Sequence, residues 1–145
     1  MKSKPIEEIE RINKAKLFSD HRGFSKISQK LFNDIIAKLD NRYKKIYYAT
    51  FRPERTDGEY MVYDKQTKST YFLDFYVEDN NKVIEFDGDY WHGEKRGNQK
   101  RDAEREANLR RLGYVNILRV KERDYNADPD AVVARCVEFI TKGDS

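Results

Sequence analysis

The sequence has very little cysteine and no long apolar run. One of its 145 residues is cysteine, Cys136, which excludes an internal disulfide bond and any zinc site built from several cysteines. No stretch approaches the roughly 20 apolar residues that a membrane-spanning helix needs. The charged N-terminus also lacks the apolar segment of a signal peptide. We therefore expect a cytoplasmic protein without a membrane partner, in which Cys136 is a small core residue.

Neither sign of charge dominates the chain. Its 29 Lys and Arg residues and 26 Asp and Glu residues give a formal net charge of +3. This balance permits a nucleic-acid partner but does not require one. Eight Phe, ten Tyr and one Trp are too many aromatic residues for a disordered chain. A length of 145 residues suits one domain with a real core.

The apolar pattern predicts helices near both ends of the chain and strands between them. Residues 1–24 are polar and are interpreted as an arm or a loosely attached helix in front of a domain that spans residues 25–145. Within the domain, a helix capped by Ser28 is predicted to end near Leu39. Strands are predicted at residues 45–51, 59–64, 71–77, 82–87 and 114–120.

Two further helices are predicted in the second half of the chain. One covers residues 98–112 and is stopped by Gly113. The other runs to about Thr141, with Asp128 as its N-cap and Pro129 at its first position. The order of elements predicts a single α/β domain with a central mixed β-sheet flanked by helices.

Two acidic residues are predicted to lie side by side on the central hairpin, whose turn is formed by residues 78–81. Alternation along the first strand places Asp74 on the face opposite to Leu73 and Phe75. The length of the turn then puts Asp74 directly across from Glu85, about 5 Å away. Carboxylates that close repel each other unless a cation lies between them.

Asp87 lies two residues beyond Glu85 and on the same face of its strand. Carboxylate oxygens are the ligands that Mg²⁺ prefers. We therefore predict a Mg²⁺ site made by Asp74, Glu85 and Asp87, in which Mn²⁺ can substitute. The alternative is that the acids face solvent on an amphipathic sheet and that Asp87 belongs to a turn. The apolar character of both strands favours the metal site, because an unpaired charge is costly there.

One of the two histidines follows this strand closely. His92 lies five residues beyond Asp87, after Tyr90 and Trp91, where it can orient or deprotonate water. We take His92 as a candidate catalytic residue, with a structural role as the alternative. His21 stands in the polar N-terminal region and is interpreted as structural.

The helix predicted at residues 98–112 carries charges at the end that follows His92. Helical spacing brings Asp102 and Arg105 toward the strand acids, which makes Asp102 a candidate catalytic acid. A local row of ion pairs is the alternative. Clustered cations beside clustered acids suit a phosphodiester substrate, although a solvated basic face is also compatible with them. The candidate DNA-binding cations are Lys95, Arg96, Lys100, Arg101 and Arg105.

The stretch from Asp74 to Gly113 resembles the PD-(D/E)xK nucleases. The resemblance is to the branch that includes the Vsr endonucleases and some phage homing endonucleases. The motifs that carry it are Leu73-Asp74-Phe75, Val83-Ile84-Glu85-Phe86-Asp87-Gly88, Tyr90-Trp91-His92, Arg101-Asp102, Arg105, Leu109 and Gly113-Tyr114.

The resemblance implies a restriction-endonuclease-like fold and a role for each matching residue. Asp74 is then the central metal ligand, and Glu85 or Asp87 helps to complete the metal sphere. Trp91 is expected to pack on DNA, and His92 to serve the attacking water. Asp102 is expected to be an acid near the metal.

Three departures from the family pattern matter. Asp87 stands where the signature lysine belongs, so His92 or Lys100 has to replace it. Gln29 stands where an N-terminal helix often adds an acid. The chain lacks the cysteines of the Vsr zinc site, so mismatch repair by the Vsr route is not implied.

We expect a metal-dependent DNA endonuclease, of a phage or bacterial homing or nicking type. The alternative is a catalytically inactive DNA-binding module on the same fold. A sugar-phosphate or nucleotide-phosphate enzyme is a third class, which the absence of a phosphate-cradling glycine loop disfavours. Cutting both strands with one such centre favours a homodimer or sequential nicking.

Overall fold

The computed structural model of the chain describes residues 26–48, 58–88 and 96–144. The predicted N-terminal arm, residues 1–24, lies outside the described residues. The described elements, in chain order, are α1 (Lys26–Lys38), β1 (Ile46–Tyr48), β2 (Tyr60–Asp64), β3 (Ser69–Leu73), β4 (Phe75–Val77), β5 (Lys82–Asp87), α2 (Arg96–Arg111), β6 (Asn116–Lys121), α3 (Glu122–Ala127) and α4 (Pro129–Thr141).

The centre of the domain is a mixed four-stranded sheet in the order β1-β4-β5-β6. Strand β4 is antiparallel to both β1 and β5, whereas β5 and β6 run parallel. A parallel pair needs a long crossover connection, and α2 lies within it. Strands β2 and β3 form a separate antiparallel ribbon. The predicted α/β fold with a central mixed sheet is therefore confirmed.

Apolar side chains cover both faces of the sheet. On one face, Phe75 and Ile84 pack in a cluster with residues of α1, α3 and α4. On the other face, Tyr76 and Val83 pack with Leu109 of α2 and with the β2–β3 ribbon. The sheet is thus enclosed between helices on one side and α2 with the ribbon on the other.

The strand predicted at residues 71–77 is two strands that meet in a bend at Asp74. The prediction that Leu73 and Phe75 share a face is wrong. Leu73 packs on the α2 side of the sheet, while Phe75 packs against α1 on the opposite side. The reason is that the chain leaves the ladder with β2 and enters the ladder with β5 at this point, which resets the alternation of side chains.

Local signals predicted the last helix well and the first helix less well. Asp128 caps α4 as expected, because its side chain accepts a hydrogen bond of 3.2 Å from the backbone N–H of Ala131. Cys136 is buried in the core as expected, and this burial raises the pKa of its thiol to about 11. Ser28 is not a cap, since α1 already includes Lys26 and Ser28 is buried within it. Helix α3 was not predicted.

Among the residues that the structure describes, no helix is both long and apolar enough to cross a membrane.

Leu109 is the residue whose loss should most weaken the attachment of α2. Its side chain is fully buried between α2 and the sheet. We expect Leu109→Ala to lower the free energy of unfolding by about 2–5 kcal/mol, because it leaves a cavity that the fixed sheet cannot fill. Urea denaturation measures this loss. Val115→Ala is the control, since Val115 is 52% exposed and its truncation should change stability by less than about 0.5 kcal/mol. Equal effects of the two changes would show that α2 is not anchored at Leu109.

Candidate active site

Asp74 lies at the bend where two antiparallel ladders meet. In the β2–β3 ladder Tyr60 pairs with Leu73, so the next position along places Glu59 opposite Asp74. In the β4–β5 ladder Phe75 pairs with Ile84, so the next position along places Glu85 opposite Asp74. The predicted register of the β4–β5 hairpin is confirmed by these pairs.

Backbone amides tie the two facing carboxylates to each other's strands. The N–H of Asp74 donates a hydrogen bond of 3.0 Å to Oε2 of Glu85. The N–H of Phe86 donates a hydrogen bond of 2.9 Å to Oδ2 of Asp74. Among the described residues, Oδ1 of Asp74 has no hydrogen-bond partner. The arrangement therefore holds Asp74 by one oxygen and leaves the other available to an external ligand.

The pKa of Asp74 is raised well above its ordinary value. Burial is the main cause, and the nearby negative charges of Glu85 and Glu59 add to it. The hydrogen bond from the Phe86 N–H and the positive charge of Arg105 act in the opposite direction. Both glutamates are buried, at 3% and 6% exposure, so water screens their repulsion poorly.

Glu59 is a member of this acid cluster that the sequence analysis missed. The sequence pattern predicts Glu59 as the first residue of a strand at residues 59–64 and indicates no role for it. The signal that could have found it is the register of the β2–β3 ribbon, because the pair of Tyr60 with Leu73 brings the residues that come directly before and after it, Glu59 and Asp74, close together.

Arg105 is the cation that faces the acids. Its Nη1 forms an ion pair with Oε1 of Glu85, and its Nη2 donates a hydrogen bond of 2.7 Å to the carbonyl oxygen of Phe72. The guanidinium carbon also lies 5.9 Å from the ring centre of Tyr71. Helical spacing had predicted that this side chain points toward the strand acids, and that prediction is confirmed.

Asp87 is on the same face as Glu85 but has a different partner. Its Oδ1 accepts a hydrogen bond of 2.9 Å from Nη1 of Arg119, which is on the neighbouring strand β6. The Nε of Arg119 donates to Oε1 of Glu106 on α2, at 3.2 Å. Arg119 therefore bridges two carboxylates, and Asp87 belongs to this second network.

The other candidate residues on α2 are exposed. Asp102 is exposed, and within the described part of the chain its side chain forms no hydrogen bond or ion pair. Lys100 and Arg101 face solvent. Trp91, His92, Lys95 and the side chain of Arg96 lie outside the described residues, as does His21. Their predicted roles, and that of Asp102, stay predictions.

The carboxylates suit a divalent cation by their chemistry. Asp74 offers an oxygen with no partner in the described segments, and Glu85 lies directly beside it. A cation there would offset the repulsion that raises the pKa of Asp74. In the ranges that the structure describes, no group of three or more His, Cys, Asp or Glu side chains is arranged to hold a metal ion. Gln29 is buried within α1.

Residues 55–140, more than half of the chain, match the restriction-endonuclease-like family REase_MTES_1575. The matched segment includes Asp74, the acids of β5 and the arginines of α2 and β6. The match supports the PD-(D/E)xK superfamily that the sequence motifs predicted, but it does not support the narrower Vsr-like branch. No curated protein and no solved structure matches the chain.

Asp74→Asn should make the protein more stable at neutral pH. The raised pKa means that the ionised carboxylate is disfavoured in the folded state, so this penalty is present above that pKa and fades as the pH falls through it. Asn carries no charge and can still accept from the Phe86 N–H. We expect a gain of about 1 kcal/mol, in the range usual for relieving a strained functional site.

Chemical denaturation at a series of pH values measures this gain. Asp87→Asn is the matched control, because it removes a carboxylate that is paired with Arg119 and should lower stability slightly. A stability gain of Asp74→Asn that grew as the pH was lowered would contradict the raised pKa.

Proposed function

The chain belongs to the restriction-endonuclease-like family REase_MTES_1575, and from this premise we propose that it is a metal-dependent endonuclease that hydrolyses phosphodiester bonds of DNA. The observation that carries the proposal is the position of Asp74. It lies at the junction of two ladders, beside Glu85, with one carboxylate oxygen that has no partner in the described part of the chain. Such an oxygen beside a second carboxylate is a suitable binding place for Mg²⁺, with Mn²⁺ as a substitute.

Asp74 and Glu85 are the proposed pair of metal ligands. Each of Glu85 and Asp87 is paired with an arginine, but Glu85 also accepts a hydrogen bond from the backbone N–H of Asp74, so Glu85 is the acid tied to Asp74. A bound divalent cation would polarise the phosphate and lower the pKa of an attacking water. Asp74 and Glu85 hold that cation, and the amides of Asp74 and Phe86 fix the orientation of both carboxylates.

Cations of α2 are the proposed contacts to the DNA backbone. Lys100 and Arg101 are exposed near the beginning of that helix, where they can neutralise phosphates. Lys95, Arg96 and Trp91 are proposed to extend this contact, and His92 to orient the attacking water. Asp102 is exposed on the same helix, and we propose it as an acidic residue near the bound metal ion.

The proposed biological setting is a phage or bacterial enzyme of the cytoplasm, of a homing or nicking type and similar to Vsr-like endonucleases. One centre of this kind cuts one strand. We therefore propose that double-strand cleavage requires a homodimer or two successive nicks.

Cleavage of supercoiled plasmid DNA tests the proposal. We expect the wild type to nick the plasmid in Mg²⁺ or Mn²⁺ and to stop when EDTA removes the cation. Asp74→Asn and Glu85→Gln should each lose at least about 100-fold in rate, because each removes a charged oxygen ligand. Asp40→Asn, which alters an exposed ion pair with Arg42, is the control and should cut like the wild type.

The main alternative is an inactive DNA-binding module, which Asp87 at the position of the signature lysine favours. It predicts that the wild type shifts DNA in a gel assay but nicks nothing in either cation. Equal cleavage by the wild type and Asp74→Asn would also overturn the proposed centre.

A further inference from the structure

Arg105 contacts three different groups around the acid pair, although it is one of the cations that sequence reasoning assigned to DNA. We propose that Arg105 is a positioning residue that sets the orientation of the Glu85 carboxylate, and that it does not hold the DNA backbone. This inference rests on the proposed nuclease function of the same site. It concerns the way in which that site keeps two like charges in a defined geometry.

Both oxygens of the Glu85 carboxylate have a partner. Its Oε1 is engaged by the guanidinium of Arg105 and its Oε2 by the N–H of Asp74. Two partners on opposite oxygens leave this buried side chain one orientation. Without Arg105, Glu85 would keep a single hydrogen bond and would be repelled by Asp74.

The guanidinium of Arg105 is also held by neighbouring groups other than Glu85. The carbonyl oxygen of Phe72 accepts from Nη2, and the guanidinium carbon lies over the ring of Tyr71, 5.9 Å from its centre. The side chain of Arg105 is only 24% exposed. Its planar fork is thus already used within the protein, and a phosphate could be bound only by giving up these contacts.

Arg101, which lies one helical turn earlier on α2, differs from Arg105 in its exposure and its contacts. Arg101 is exposed, and the described part of the chain supplies no partner for its side chain. The two arginines therefore have different roles on this helix. Arg101 is available to phosphates, and Arg105 serves the acids.

The consequence is an asymmetric pair of acids. Arg105 and the Asp74 N–H engage both oxygens of Glu85, whereas Asp74 is held through Oδ2 by the Phe86 N–H and its Oδ1 has no partner in the described part of the chain. Glu85 is tied to Asp74 through the hydrogen bond from the Asp74 N–H, so its orientation also fixes where its charge lies relative to Asp74.

Steady-state cleavage by Arg105→Ala and Arg101→Ala separates positioning from DNA contact. We expect Arg105→Ala to lower kcat about 10- to 100-fold, which is the loss typical of removing a group that orients a metal ligand. Its KM for DNA should change less than about twofold, with an unchanged salt dependence. Arg101→Ala should instead raise KM and reduce the salt slope by about one, which marks a lost phosphate contact. Arg42→Ala, which breaks an exposed ion pair, is the control for general effects of removing an arginine.

Arg105→Lys tests the geometry of the fork without removing the charge. Lysine is a compact point charge and cannot reach Glu85 and the Phe72 carbonyl together. We expect it to restore folding fully and kcat only in part. If Arg105→Ala does not fold, wild-type kcat in Arg105→Lys overturns the proposal.

Binding of Mn²⁺, followed by the electron paramagnetic resonance signal of the free ion, adds a readout that is independent of cleavage. We expect Arg105→Ala to bind Mn²⁺ about 10- to 100-fold more weakly, because its Glu85 is no longer held in place. Unchanged Mn²⁺ affinity, or a raised KM with wild-type kcat, overturns the positioning role. Failure of the wild type to cut DNA would overturn the proposed function, and the Mn²⁺ affinities would still decide the role of Arg105.

Discussion

The structure depends on one unfavourable contact, the close approach of two carboxylates at the bend between β3 and β4. Asp74 and Glu85 lie side by side next to the β4–β5 ladder, and the burial of Glu85 limits the screening of their charges by water. The raised pKa of Asp74 records that cost. A protein retains such an arrangement where the charges are used, and here the oxygen of Asp74 that has no partner in the described residues points to a ligand of positive charge.

Arginines on α2 and β6 pair with acidic residues of the domain. One of them, Arg105, offsets part of the repulsion between Asp74 and Glu85. Arg105 pairs with Glu85, and Arg119 joins Asp87 to Glu106. Arg111, in the last turn of α2, pairs with the buried Asp64 at the end of the ribbon. Burial opposes ionisation of Asp64, but hydrogen bonds from Thr67, Gln66 and Arg111 outweigh it and lower the pKa of that carboxyl.

Helix α2 therefore has two roles, which follow from its position in the connection between the parallel strands β5 and β6. Leu109 fixes one side of the helix to the sheet, and Arg105, one turn earlier, reaches the acid pair from the same side. The N-terminal part of the helix, where Lys100 and Arg101 are exposed, suits the phosphate backbone. The family match covers this helix together with Asp74 and β5, so the residues of the proposed site lie within the matched segment.

Local spacing in the sequence determined the central pair of the site, Asp74 and Glu85, but not the other residues that contact or surround this pair. The turn at residues 78–81 sets the register of the β4–β5 hairpin, and with it the pairing of Asp74 with Glu85. Asp128 and Pro129 likewise determine the beginning of α4, because a cap acts through neighbouring atoms. Only the tertiary structure decided that the chain bends at Asp74, that Glu59 joins the acids, and that Asp87 pairs with Arg119. These features depend on contacts between segments distant in the sequence, whose partners are chosen by packing and long-range charge rather than by the spacing of nearby residues.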